Sequence, residues 1–263
     1  MRFAAAWHPD IILLDVLIPG LDGFECCRRL KRDPATLHIP IVIVTPPGEA
    51  GGRLRGLEAG ADDVLIRPVS HALLLARVRS LARLRRSLDE WTLRHETACA
   101  LGLAGDATPS LSVTGTRVLI IDDWGPDARI VEDVLASDGL VMDLACTGTG
   151  GVHVARAAPP DLVELSLSLV DEDPLAIVAA LRAADAPPPL LVIAPEDRNA
   201  LLRAFDLGAD DWVGLPLDRD QLRARARNQI RRKLYQDRLR ADLGAALDLA
   251  SSDPLTGLRN QRW

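Results

Sequence analysis

One segment of this chain is written twice, and any fold proposed for it must hold both copies. PDIILLDVL at 9–17 and PDLVELSLS at 160–168 share their Pro-Asp opening and the apolar run behind it. Two further landmarks follow in the same order. IPIVIVTPPGE (39–49) answers to PPLLVIAPED (188–197), and EAGADDVLIRPV (58–69) to DLGADDWVGLPL (206–217). The offset shrinks slowly, from 151 at Pro9/Pro160 to 149 at Pro40/Pro189 and 148 at Gly60/Gly208. That drift is what a duplicated domain with small loop deletions leaves behind. Order, spacing and the Gly-Ala-Asp-Asp punctuation all agree, which chance similarity of three strands does not produce. At 263 residues the chain is long enough for two domains of ordinary size.

Each copy alternates short apolar runs with helical stretches. In the second, the strands read VLIID (118–122), VMDLA (141–145), DLVEL (161–165), LLVIA (190–194) and WVGL (212–215), with amphipathic segments such as DARIVEDVLAS and NALLRAFDLG between them. Near-continuous apolar strands belong to a parallel sheet covered on both faces. Five strands alternating with five helices predict an α/β fold: doubly wound parallel-sheet domains in tandem, each followed by an extended helix. Function in such sheets sits at the carboxyl ends of the strands.

Bulk composition narrows the classes. With 48% apolar and 26% charged residues the chain is globular, and its net charge of −6 argues against a binder that works by bulk attraction to nucleic-acid phosphate. The longest apolar runs, such as IPIVIV at 39–44, fall far short of the roughly 20 residues a membrane helix needs. With no targeting segment visible at the start, a cytoplasmic protein without a membrane partner is expected. The four cysteines (Cys26, Cys27, Cys99, Cys146) form no C-x-x-C and no zinc spacing, so reduced thiols are expected. The five histidines are scattered and receive no role.

The strand ends carry the chemistry. In the first copy the third strand ends in Asp15, the fourth in Thr45 and the fifth in Arg67-Pro68. A carboxylate flanked by a hydroxyl and a cation suits transfer of a phosphoryl group onto that carboxylate. DVLIPGLDGFE from Asp15 onward, VIVTP, and GADDVLIRPV together resemble the receiver domain of two-component response regulators. The resemblance implies a phospho-acceptor at Asp15, a switch hydroxyl at Thr45 and a phosphoryl-binding cation at 67, where the family's lysine is Arg67 here. Arginine keeps the charge but offers a planar fork instead of a point charge. The resemblance also implies Mg2+ for phosphorylation of a complete first receiver, a sensor histidine kinase or phosphotransfer protein as donor, and a cis peptide before Pro68 and Pro216.

The copies fail in opposite ways. In the second, the first strand ends in the acidic pair Asp122 and Asp123, but Ser166 stands for the acceptor, Ala194 for the hydroxyl and Leu215 for the cation. Loss of all three predicts a pseudo-receiver that keeps fold and surfaces only. In the first, the matching acidic pair would precede residue 1, so this copy is expected to be truncated before its first two strands. The strand ending in Asp15 is then a bare apolar edge. TGTGG (147–151) does not satisfy G-x-G-x-x-G and reads as a loop opening the second helix.

Both copies end in a helix that overruns. Leu74, Val78, Leu81, Leu84, Leu88 and Trp91 form one apolar face, and Leu222, Ala226, Ile230 and Leu234 another that continues through Leu239, Leu243 and Leu247. The arginines between them (Arg223, Arg225, Arg231, Arg232) read as a solvated helix face, with a nucleic-acid patch as the alternative. The closing DPLTGLRN resembles the opening of a GGDEF domain, the diguanylate cyclase module, whose catalytic signature does not occur in this sequence. The expected organisation is a truncated receiver (1–95), a linker (96–115), a degenerate receiver or adapter (116–235), a signalling helix (236–252) and a GGDEF start (253–263). The arrangement resembles PleD-type response regulators and implies a homodimer through the receivers, with no enzymatic activity in this chain itself. The alternative is a stand-alone receiver-type scaffold or phosphate sink. A DNA-binding regulator would need a helix-turn-helix after 236, and only a single helix and DPLTGLRN are found there.

Overall fold

The computed structural model describes residues 2–18, 20–33, 35–49, 51–83, 85, 112–123, 125–170, 172–195 and 198–251. The first domain opens with helix α1 (Arg2–Trp7). Strand β1 (Ile12–Asp15) and the short hairpin of β2 (Leu17–Ile18) and β3 (Leu21–Asp22) follow. Then come α2 (Gly23–Arg32), β4 (Ile41–Thr45), α3 (Gly52–Glu58), β5 (Asp63–Ile66) and α4 (71–83). The second contains β6 (Arg117–Ile121), α5 (Pro126–Ala136), β7 (Val141–Ala145), α6 (Gly148–Ala157) and β8 (Leu162–Ser166). It ends with α7 (Pro174–Arg182), β9 (Leu190–Ala194), α8 (Arg198–Leu207), β10 (Asp211–Gly214) and α9 (Arg219–Ser251).

The second domain's sheet has the order β10-β9-β8-β6-β7, and every neighbouring pair is parallel. Counted from its own first strand this is 2-1-3-4-5, one of the doubly wound orders. The first domain repeats only the later half, β1-β4-β5, in the equivalent register: Ile12 faces Ile41 as Val163 faces Leu190. On the other side of β8 runs β6, whereas β1 has no neighbour there among the described residues. Leu13 is consequently 54% exposed at that edge, while its counterpart Glu164 is fully buried.

Expected strand ends differ from the observed ones by a residue at several places, because the acidic pair and the residues before the prolines leave the ladder to form loops. TGTGG is mostly the first turn of α6, with the Thr147 side chain accepting from the Gly150 N–H as its N-cap. α9 runs unbroken for 33 residues across the 235/236 boundary between the expected adapter and signalling helix, as an overrunning last helix implies. Leu222, Ala226 and Ile230 lie buried on its inner face, as the periodicity requires. The overrun of the first stalk helix beyond residue 85, most of the 96–115 linker and the 253–263 segment lie outside the described residues, as does Cys99. Of the other cysteines, Cys26 and Cys27 are buried, Cys146 is exposed, and all three are free.

The domains pack against each other reciprocally. Ala76 of α4 is buried in the second domain's core with Leu201, Ala204 and Phe205, and Ala224 of α9 in the first domain's with Leu57, Ala59 and Ala61. Between them lies a closed set of ion pairs. Arg77 meets Asp63 at 2.5 Å and Asp211 at 3.1 Å, and Arg225 meets Asp63 at 2.8 Å and Asp211 at 2.5 Å. Ser80 donates to the carbonyls of Ala209 and Asp210, and Asn228 to those of Leu57 and Ala61. Each of these pairs, 63/211, 77/225 and 80/228, is separated by the repeat offset of 148. The interface is therefore a pseudo-twofold built from the duplication itself.

This corrects the expectation for the α9 arginines. Arg225 is only 2% exposed, Arg223 pairs with Asp138, and Arg232 pairs with Asp62, so only Arg231 behaves as a solvated side chain. Helical spacing shows which residues share a face. It does not show that a second domain, with carboxylates at matching positions, covers the polar face as well. Asp63, held between two guanidiniums, stays ionised despite its burial, with its carboxyl lowered to about 2.

Candidate functional site

Three strand ends meet in the first domain. Asp15 closes β1, Thr45 closes the adjacent β4, and Arg67 follows β5 directly. The Asp15 carboxylate accepts from Arg67 Nη2 at 2.6 Å and, through its other oxygen, from the Leu17 N–H at 3.0 Å. Both side chains of the ion pair are partly exposed, 39% for Asp15 and 56% for Arg67, so the pair is open to solvent and to an incoming group. Thr45 is buried and its hydroxyl donates to Glu49 at 2.9 Å. Glu49 was not among the expected site residues, since a carboxylate after PPG in a loop carries no periodic signal.

The scaffold behind Asp15 follows from its sequence. Gly20, at φ +80°, turns the β2–β3 hairpin, and Asp22 caps α2 by accepting from the Phe24 N–H. Gly23 then lets α2 approach the acceptor loop: a Cβ there would lie 2.5 Å from the Asp15 carbonyl oxygen and 2.6 Å from Val16 Cα. The IPGLDGFE segment is thus a device for seating a helix against Asp15. The Arg67-Pro68 and Leu215-Pro216 bonds are both cis, as the resemblance implies.

The equivalent place in the second domain is differently furnished. Asp122 and Asp123 follow β6, Ser166 and Ala194 end β8 and β9, and Leu215 follows β10. Burial raises the Asp122 carboxyl, the neighbouring Asp123 adds to the rise, and the Gly125 N–H opposes it. Ser166 is nearly buried and shares a hydrogen bond with Asp122. Two residues deeper, Glu164 is fully buried in mid-strand with neither carboxylate oxygen hydrogen-bonded. Burial, reinforced by the charges of Asp122 and Asp127, pushes its carboxyl well above the usual range.

The resemblance implies Mg2+ for a complete first receiver, with Asp15 among the residues that would hold it. The described residues gather no group of three His, Cys, Asp or Glu side chains able to hold a cation. Asp15 stands with a guanidinium, and the Asp122–Asp123 pair faces Ser166 where a third carboxylate would be. No helix among the described residues is long and apolar enough to cross a membrane.

Comparison with known proteins agrees with this geometry. Response regulator PleD of Caulobacter vibrioides is 39% identical over 267 residues, covering 100% of this chain and 58% of its own length. The chain thus spans little more than half of that relative. The phosphate regulon transcriptional regulatory protein PhoB of Rhizobium meliloti is 45% identical over 75 residues, 28% of this chain and 33% of its own. Among solved structures, a signal receiver domain from Bermanella marisrubri is 28% identical with a TM-score of 0.42, covering 44% of this chain and 99% of its own. A response regulator from Chloroflexus aurantiacus is 23% identical with a TM-score of 0.43, over 44% of this chain and 98% of its own. The response regulator receiver domain matches at residues 1–79 and again at 118–227. Parallel sheets wound in receiver order, strand ends bearing Asp15, Thr45 and Arg67, and a match repeated over both halves lead to one conclusion: this chain belongs to the response regulator receiver family.

Proposed function

We propose that the chain is the regulatory part of a PleD-like response regulator, in which the first receiver takes a phosphoryl group on Asp15 and the second serves as an adapter. The supporting observation is the contrast between the two sites. Asp15 is held by Arg67 with Thr45 at the next strand end, and the second copy has lost the counterpart of each. In the reaction an Asp15 oxygen attacks phosphorus, the donor's leaving group departs with its bonding pair, and a mixed anhydride forms. Arg67, already 2.6 Å from the carboxylate, moves onto the phosphoryl oxygens, and Thr45 exchanges Glu49 for the same group. A phosphoryl group of roughly −1.5 to −2 charge is a far better partner for the guanidinium than a single carboxylate.

In this reading the donor is a histidine kinase or phosphotransfer protein. The output is a diguanylate cyclase module lying beyond α9, which must pair two active sites, each holding one GTP. A homodimer through the receivers provides that pairing. The test is labelling of the full gene product with a phosphoryl donor such as acetyl phosphate. Label is expected to vanish in Asp15→Asn and to persist in Asp122→Asn. Retention of label by Asp15→Asn defeats the assignment.

A further inference from the structure

Between the two domains, beside the reciprocal ion pairs, lies a cavity of about 390 Å3 whose lining includes none of Asp15, Thr45 and Arg67. The size is that of a small-molecule site. Its apolar walls come from both halves: Leu65 and Leu73 from the first, Leu201, Leu202 and Trp212 from the second. Two guanidiniums, Arg53 of α3 and Arg225 of α9, and two carboxylates, Asp63 and Asp218, also line it. Each guanidinium presents a buried Nε–H with no hydrogen-bond partner. Arg225 is 2% exposed, so its unpartnered N–H has no compensating water-facing side. An orphaned buried donor is costly, and an acceptor in the cavity would relieve it.

The open donors on the wall decide the class of ligand. Arg77, Arg225, Asp63 and Asp211 neutralise one another. Arg53 is outside that set: it makes no direct ion pair among the described residues, bonds the neutral Gln221 amide oxygen at 3.2 Å and feels the charges of Asp63 and Asp218 only from a distance. Of the two lining carboxylates, Asp63 is held by Arg77 and Arg225, and Asp218 is exposed and already accepts from the Asp220 and Gln221 N–H groups and the Gln221 side chain. Two guanidiniums with unpartnered N–H groups, carboxylates that are already engaged and a leucine-and-tryptophan wall form a site for a molecule with one anionic head and an apolar ring.

We propose that this interdomain cavity binds a small organic anion: an aromatic or cyclic carboxylate or sulfonate, its charged group on Arg53 and Arg225 and its ring among Leu73, Leu202 and Trp212. The site touches Ile66 and Pro68, the residues on either side of Arg67, and includes Leu215 and Pro216 of the second copy. It rests on the cavity alone and stands whether or not Asp15 is the acceptor.

The probe is 8-anilinonaphthalene-1-sulfonate, titrated by fluorescence against the folded chain. Saturable binding of one dye per chain is expected. Arg53→Gln, which removes the charge, and Leu202→Trp, which fills the cavity, should each weaken it by about tenfold or more at an unchanged melting midpoint. N-phenyl-1-naphthylamine, the same rings without the sulfonate, should bind the wild-type chain about tenfold more weakly. Absence of saturable binding, or unchanged affinity in Leu202→Trp, overturns the cavity as the site. Equal affinity of the two dyes overturns the anionic head, and that comparison needs no variant to fold.

Discussion

Arg67 and Glu164 show how differently two charged residues are decided by their surroundings. Arg67 lies in the open, where an ion pair contributes little to stability, about 0–1 kcal/mol. Its value in the proposed reaction is chemical, as a cation ready for phosphoryl oxygens. Arg67→Ala should therefore leave folding intact and slow labelling of Asp15 by about tenfold or more, with Arg67→Lys retaining most of the rate. A time course with acetyl phosphate checks both. Glu164 is the reverse case, buried without a partner where the first copy has Leu13. Its folded carboxyl is raised, so the folded state holds a proton that the unfolded chain releases near the ordinary value of 4.5. Stability from this group is full below that value and declines as pH rises towards the raised one. Glu164→Leu should stabilise the chain at neutral pH by about 1–3 kcal/mol and flatten this decline, as read by denaturant melts across pH. Asp15, Thr45 and Arg67 were legible in the sequence because each ends an apolar run inside a recognisable motif. Glu164 was not singled out, because one acidic letter within DLVELS does not announce its burial.

At the scale of elements, the helices carry more than their apolar faces suggest. Positions 222, 226 and 230 were readable as one buried stripe of α9, and they are buried. The arginine beside them was read as solvated and is not, since its partners, Asp63 and Asp211, come from β5 and β10 of different domains. Removing one partner from a buried set leaves charge uncompensated, so Arg225→Leu should cost about 3–5 kcal/mol in denaturant unfolding. Changing Arg223, half-exposed on the same helix, should cost less than about 1 kcal/mol. In α2, Gly23→Ala sets a methyl group against the Asp15 backbone, a clash worth about 1–3 kcal/mol. It should also reduce phosphoryl acceptance, since the helix that braces the acceptor must shift.

The whole molecule is a duplication folded back on itself. Its repeat was plain from three landmarks, and so was the difference in strand-end residues between the copies. The pseudo-twofold packing was not, because a repeat offset carries no information on which faces meet. The matching residues at 63/211, 77/225 and 80/228 acquire meaning only once the two halves are in contact. Acid should loosen this joint. Asp63 has its carboxyl lowered to about 2, so its contribution is present above its ordinary value of 3.8 and is lost as pH falls through about 2. That trend is opposite in sign to the one set by Glu164. In the PleD-like reading, a phosphoryl group on Asp15 draws on Arg67, one residue beyond β5, and so bears on this joint and on the pairing of chains. Sedimentation with and without beryllofluoride should show tighter dimerisation with the mimic, about 1.4 kcal/mol for each tenfold change. An unchanged monomer–dimer constant with the mimic bound at Asp15 removes the coupling.

The proposed division between the two copies rests on one carboxylate. An acyl phosphate is reduced by borohydride to the corresponding alcohol, so a phosphorylated aspartate is left as homoserine. Phosphorylating the full gene product, trapping it with borohydride and mapping the peptides by mass spectrometry reads the acceptor directly. Homoserine is predicted at position 15 alone, with Asp122, Asp123 and Ser166 unmodified. Homoserine at 122 or 123, or an alkali-labile phosphoserine at 166, would contradict the division of labour between the two copies.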